Sequence, residues 1–174
     1  MHELAARLAR GDEAAFAELY DACADRLHAY LTARLGSRDR AADVVQETFL
    51  RAVAARRRFG KVENPIAYLF QIARNEAIRS LTRERRREPP SLSAVDLFAT
   101  DSSHLNREQA ELASAALNRI APDDRELVEL KIFAGLTFRE IAEVTGLTLN
   151  HESPLSALAG GGVLFFAVLA LIVE

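Results

Sequence analysis

The chain has 174 residues, 49% hydrophobic and 27% charged, which is enough apolar material for one large or two small cores and excludes a disordered composition. Its formal net charge of −3 hides an asymmetry: residues 1–88 hold 17 Lys/Arg against 13 Asp/Glu, net +4, whereas residues 89–174 hold 5 against 12, net −7. The lone Cys23 excludes an internal disulfide and fits a reducing compartment, and the scattered His2, His28, His104 and His151 form no ligand cluster, so an enzyme is the least supported class and no metal or cofactor is expected.

Residues 2–10 predict a short helix closed at Gly11, and the charges at Arg7, Arg10, Asp12, Glu13 and Glu18 leave no apolar run for a signal peptide. Asp12 is placed to cap a second helix, in which Phe16, Leu19, Tyr20, Cys23, Leu27, Tyr30 and Leu31 recur at helical spacing up to a stop at Gly36. Ser37 or Asp39 opens a third helix running to about Arg57. Its inward positions are Ala41, Val44, Val45, Phe49, Ala52 and Val53, and Asp43, Gln46, Glu47 and Arg51 project outward. A loop from Arg58 to Asn64 follows, basic through Arg58 and Lys61, with Phe59 beside Gly60. The Phe59 ring either stacks on an unpaired base, a contact worth roughly 1–3 kcal/mol, or closes the core beneath the loop.

Asn64 and Pro65 read as the cap and first residue of a fourth helix. Leu69, Ile72, Ala73, Ile78 and Leu81 make its apolar stripe, while Gln71, Arg74, Asn75, Arg79, Arg83 and Arg86 supply donors suited to phosphate oxygens and base edges. The run of arginines at 83, 85, 86 and 87, opposed only by Glu84 and Glu88, favours an anionic partner over a plain solvated face.

Prolines 89 and 90 and the serines after them break the periodicity and mark a flexible linker over 88–104. Leu105 to Ile120 predicts a helix with Leu112, Leu117 and Ile120 inward, and Pro122-Asp123 opens another through Leu127, Val128, Leu130 and Phe133 to Gly135. Thr137 and Glu140 have capping-box spacing, with Ile141, Ala142 and Val144 on the buried side and a turn at Gly146. This is the pattern of the first helix and turn of a helix-turn-helix, where the small Ala142 permits close helix approach.

Taken together, three stretches resemble the extracytoplasmic-function (ECF) group of the sigma-70 family, the bacterial subunits that direct RNA polymerase to promoters. Asp43-Val44-Val45-Gln46-Glu47-Thr48-Phe49-Leu50 is similar to the family's polymerase-gripping stretch, Ile66 to Ile78 to its minus-ten helix, and Glu126 to Leu147 to its region-four domain. The resemblance implies an all-α fold of two small helical domains: 1–87 for polymerase and minus-ten binding, and 105–150 as a helix-turn-helix domain. It implies core RNA polymerase and promoter DNA as partners and allows an anti-sigma protein as a further one, and the reducing compartment that Cys23 fits is the cytoplasm. Asp43, Gln46 and Glu47 would offer acceptors to a basic coiled coil, with Phe49 securing the helix from beneath. The loop from Arg58 to Asn64 and the start of the next helix would capture unstacked bases, with Arg74, Asn75, Arg79 and Arg83 on nearby DNA. Tyr68 stands where the family usually has tryptophan, and Arg79 where it has aspartate.

After Asn150 the chain departs from the family. The basic recognition helix is replaced, and no Lys or Arg follows Arg139. Residues 155–173 are uncharged and about 28 Å long as a helix, close to a bilayer's hydrocarbon core. Three readings of the tail 151–174 stay open: a membrane anchor, an apolar helix covering an incomplete second domain, or an altered gene end. The rival to a working sigma factor is a degenerate or regulatory relative that binds polymerase without full promoter recognition.

Overall fold

Residues 2–87 and 122–146 are described by the computed structural model, and every described element is helical. In order they are α1 (His2–Arg10), α2 (Glu13–Leu35), α3 (Arg38–Ala54), a 3-10 helix (Arg56–Lys61), α4 (Pro65–Arg87), α5 (Pro122–Ile132) and α6 (Phe138–Thr145). The expected linker over 88–104, the helix over 105–120 and the tail after Asn150 lie outside the described residues. Among the described residues no helix is long and apolar enough to cross a membrane.

Local chemistry sets the helix boundaries. Asp12 Oδ1 accepts the Ala15 N–H at 3.2 Å, and Ser37 Oγ accepts the Arg40 N–H at 3.4 Å. Asn64 Oδ1 accepts from both Ile66 and Ala67, at 3.0 and 3.1 Å, and Pro65 sits at the first helical position, where its missing N–H costs nothing. α2 ends because Gly36 takes a left-handed φ of +67°, which a side chain would disfavour, and returns its N–H to the Thr32 carbonyl.

α2 packs against α1, α3, α4 and α5. Its Leu19, Cys23, Leu27, Tyr30 and Leu31 are buried with Ala41, Val44 and Ala52 of α3 and Leu69, Phe70, Ala73 and Ala77 of α4. Leu127, Leu130, Ala134, Leu136, Ile141 and Val144 belong to the same continuous apolar cluster, so the later segment closes onto the earlier core. Burial pushes the Cys23 thiol up to about 11, and its Sγ donates to the Leu19 carbonyl, which leaves little thiolate at neutral pH.

Tertiary packing overrides the periodicity at several positions. Val53 is 45% exposed and Ile78 38% exposed, and Tyr20 is also open to solvent, although all three fall on apolar stripes. Thr48, by contrast, shares the face of Ala41, Val44 and Ala52 and is buried with them, its hydroxyl satisfied by the Val44 carbonyl at 2.6 Å. α3 ends at Ala54 rather than near Arg57, and what reads as a loop after it winds as the 3-10 helix. That tighter winding carries Phe59 into the core, edge-on to Phe16 at 6.0 Å and to Tyr68 at 5.0 Å between ring centroids. Gly60 packs against α1, where a β-carbon would meet Ala9 at 3.3 Å.

Phe59→Ala should therefore empty a fully enclosed site and cost about 3–5 kcal/mol, read as a lower urea midpoint.

Candidate nucleic-acid interface

Two faces of the helical scaffold carry the candidate residues. The first is on α3, where Asp43 and Gln46 are exposed and Glu47 is half-buried, paired to Arg51 at 2.8 Å. Phe49 packs below them against Tyr20, with ring centroids 5.0 Å apart. Beside these acceptors runs an apolar groove of about 650 Å³ between α2 and α3, lined by Tyr20, Ala24, His28, Val45, Phe49 and Leu50. Leu50 is 59% exposed along its edge. This face combines carboxylate and amide acceptors with open apolar surface, the chemistry of a protein contact.

The second face is basic. Arg58 and Lys61 are exposed on the 3-10 helix, and Asn75, Arg79, Arg83 and Arg86 are exposed along α4. Arg79 reaches back to Glu76, which is only 7% exposed and also accepts from Arg51 at 2.8 Å. Glu47, Arg51, Glu76 and Arg79 thus form an alternating chain that ties α3 to α4.

The amino-terminal half of α4 is engaged by the later segment. Arg74 makes a bidentate pair with Glu126, Nε to Oε1 at 3.0 Å and Nη2 to Oε2 at 2.9 Å. Asn64 Nδ2 donates to Glu140 Oε1 at 2.6 Å, and Gln71 Nε2 donates to the Glu143 carbonyl at 3.5 Å. A small cavity of about 230 Å³ remains between these elements, bordered by Asn64, Ala67, Tyr68, Gln71 and Glu143. Phe59 corrects one expectation: its ring is enclosed by Phe16 and Tyr68 and presents no face for a base.

Glu126 and Glu129 lay outside the sequence-based set. They are 4% and 2% exposed, and Arg34 of α2 reaches both at 3.3 Å. Burial pushes the Glu129 carboxyl above its usual range, against the pull of Arg34 and Arg125. The only signal in the sequence is their position inside an apolar run, Glu126-Leu127-Val128-Glu129-Leu130, which leaves no polar side for them to occupy. At α6 the expected capping box is present: Thr137 Oγ1 accepts the Glu140 N–H at 3.3 Å and Glu140 Oε2 accepts the Thr137 N–H at 2.7 Å. Burial raises the Glu140 carboxyl, but the bonds from Thr137 and Asn64 outweigh it and hold the group below the usual carboxylate range. Ala142 is half-buried on this helix, and Gly146 ends it at φ +74°.

The scaffold is all-helical among the described residues, and an ion chain joins the acidic face of α3 to the basic helix α4. Residues 19–87 match the family model of Sigma-70 region 2. Three curated relatives are similar over most of the chain. The ECF RNA polymerase sigma factor BldN of Streptomyces coelicolor is 33% identical over 84% of this chain and 58% of its own length. RpoE of Cereibacter sphaeroides is 32% identical over 80% and 78%, and EcfG of Rhodopseudomonas palustris 34% over 71% and 69%. The solved structure of CnrH in complex with the cytosolic domain of CnrY has the same fold, with a TM-score of 0.66 at 24% identity over 99% of this chain and 96% of that one. The chain belongs to the ECF group of RNA polymerase sigma factors.

Arg74→Ala would remove the bidentate partner of buried Glu126, leaving the longer contact to Arg34 among the described residues, and should cost about 3 kcal/mol in urea unfolding. Arg83→Ala, on exposed surface, should stay within about 0.5 kcal/mol of the parent.

Proposed function

We propose that the chain directs transcription initiation by binding core RNA polymerase through α3 and recognising and melting promoter DNA through α4. On this reading residues 1–87 form the polymerase- and minus-ten-binding unit, and 105–150 a second unit in which α6 is the first helix of a helix-turn-helix. Thr137 and Glu140 start that helix, Ala142 lets its neighbour approach, and Gly146 makes the turn.

The observation that carries the reading is the exposed row Asn75, Arg79, Arg83 and Arg86 on α4, inside the span that matches Sigma-70 region 2. Guanidinium groups on one rigid helix hold phosphates in register and set the protein's orientation on the duplex. Arg58 and Lys61 extend the positive surface past the start of α4. Melting needs no bond chemistry: unstacking a base costs a few kcal/mol, and capture of the displaced base offsets it. Asn64 and Gln71, with Tyr68 between them, border the cavity that would receive such a base, while Phe59 holds that wall from behind.

The α3 face supports the second half of the proposal. Asp43 and Gln46 would accept from a basic helix of the polymerase, and the groove edged by Leu50 and Tyr20 would take that helix's apolar side. Phe49 fixes α3 on α2, and Glu47 stays oriented by Arg51. CnrH is seen bound to the cytosolic domain of CnrY, which supports an anti-sigma protein as a further partner here.

The test is run-off transcription with core polymerase on pooled genomic fragments, paired with a polymerase pull-down. Asp43→Arg should lower polymerase binding about tenfold or more by placing like charge against a basic surface. Arg83→Ala with Arg86→Ala should leave polymerase binding intact, weaken the DNA complex and reduce its salt slope by about two. Full transcription by the arginine double variant would refute the basic-row assignment.

A further inference from the structure

We infer that the 3-10 helix and the end of α1 form a track for the phosphates of single-stranded DNA, in which Arg10, Arg56 and Arg57 continue a path begun by Arg58 and Lys61. This rests on the reading of the chain as a factor that opens promoter DNA, and extends it to residues that reading leaves unassigned.

Residues 56–61 carry four cations and no acid, and all four cations are exposed, as is Arg10 at the end of α1. The two elements are closely joined. A β-carbon on Gly60 would meet Ala9 at 3.3 Å, and one on Gly11 would meet Arg56 Cδ at 3.1 Å and Nε at 3.2 Å. The Arg56 side chain therefore lies across the turn that follows Arg10, and the two cations are brought to one surface.

Like charges gathered in this way repel, and the nearby carboxylates are engaged elsewhere. Asp12 and Glu18 both pair with Arg7, at 2.9 and 2.8 Å, and Glu63 faces Arg139 at 3.6 Å. Glu3 and Glu13 are exposed at this end and bond to none of the cations. Among the described residues Arg10, Arg56, Arg57, Arg58 and Lys61 thus have no ion-pair or hydrogen-bond partner. On α4, by contrast, Arg74 is held by Glu126 and Arg79 by Glu76. A concentrated and unpaired positive surface on joined helices favours a polyanion that supplies the missing charge.

The place of the surface says which polyanion. Lys61 is followed by Val62, Glu63 and Asn64, which border the cavity of about 230 Å³. A base displaced into that cavity leaves its strand unpaired, and the backbone must run on along a neighbouring element. The 3-10 helix offers about 12 Å of cationic path from the cavity to α1. Phe59 is buried within it, so the 3-10 helix has no exposed ring to stack a base, and its cations hold phosphates whatever the sequence.

Among the described residues nothing in 122–146 bonds to the track, so the full chain alone can be titrated. The measurement is fluorescence anisotropy of labelled oligo-dT and of a blunt duplex at several salt concentrations. Arg10→Gln with Arg56→Gln and Arg57→Gln removes three charges and keeps the stems, including that of Arg56 over Gly11. It should bind oligo-dT about tenfold more weakly, with a salt slope lower by about two, and lose at most about threefold on the duplex. Arg10→Lys with Arg56→Lys and Arg57→Lys keeps the charge and should stay within about twofold of the parent. Should the glutamine variant fail to fold, Arg57→Gln alone should lower the oligo-dT slope by about 0.7. Unchanged oligo-dT binding by the glutamine variant overturns the inference. So does an equal loss on the duplex, which would make the patch a general attractant. The α4 assignment is judged apart: Arg83→Ala with Arg86→Ala should weaken the duplex more than oligo-dT. If that variant leaves the duplex untouched while the glutamine variant loses oligo-dT, the α4 assignment falls and the track stands. If the parent ignores oligo-dT, the track falls, and a duplex loss in the α4 variant keeps the α4 assignment.

Discussion

One carboxylate held between two guanidiniums sets the position of the segment after residue 121. Glu126 is 4% exposed, and an ionised group so enclosed is tolerated only with close partners. Arg74 supplies two bonds from α4, and Arg34 supplies a longer contact from α2. Because those arginines come from different helices, the carboxylate fits one place only, in the angle between α2 and α4. The apolar residues Leu127, Leu130 and Ile141 could slide along a greasy surface, whereas the ion cluster cannot. Its worth lies more in fixing register than in net stability, since desolvating the charges consumes much of what pairing them returns.

That register matters because α4 serves two purposes along its length. At 23 residues it is about 35 Å long, more than α6 can cover. Its first half is buried on one side by Leu69, Phe70 and Ala73, and met on another by Glu126, Glu140 and Glu143. Its second half keeps Leu81 against the core and carries the exposed arginines. The helix is thus a core element at one end and carries an exposed row of arginines at the other.

What could be read in the sequence was what depends on near neighbours. The caps at Asp12, Ser37, Asn64 and Thr137 each satisfy an N–H two or three residues on, and each lies where the residue type demands. Long-range relations were not legible. Arg74 and Glu126 are 52 residues apart and Arg34 and Glu129 95 apart, and nothing in either local pattern names the other. Phe59 had two outcomes in sequence because the choice depends on Phe16 and on the pitch of the intervening turn. Val53 carries the right periodicity but borders the open groove between α2 and α3, and Ile78 stays exposed although Leu81 beyond it packs on the core. The exposed part of the basic row was legible as a composition, while its division into a covered and an open half was not.

The link between α3 and α4 differs in kind from the joint with the later segment. Glu47, Arg51, Glu76 and Arg79 alternate in sign across the two helices, and Glu76, 7% exposed, anchors the chain at its centre. The helices are also wedged by the shared apolar core and joined by the short 3-10 connection, so no long tether lets them drift. The acidic face of α3 and the basic row of α4 are therefore held at a fixed angle. The later segment meets α4 through one bidentate ion pair at Arg74 and amide bonds from Asn64 and Gln71, over apolar residues it shares with the core. Both joints therefore rest on shared apolar burial, and their ion pairs act chiefly to fix register.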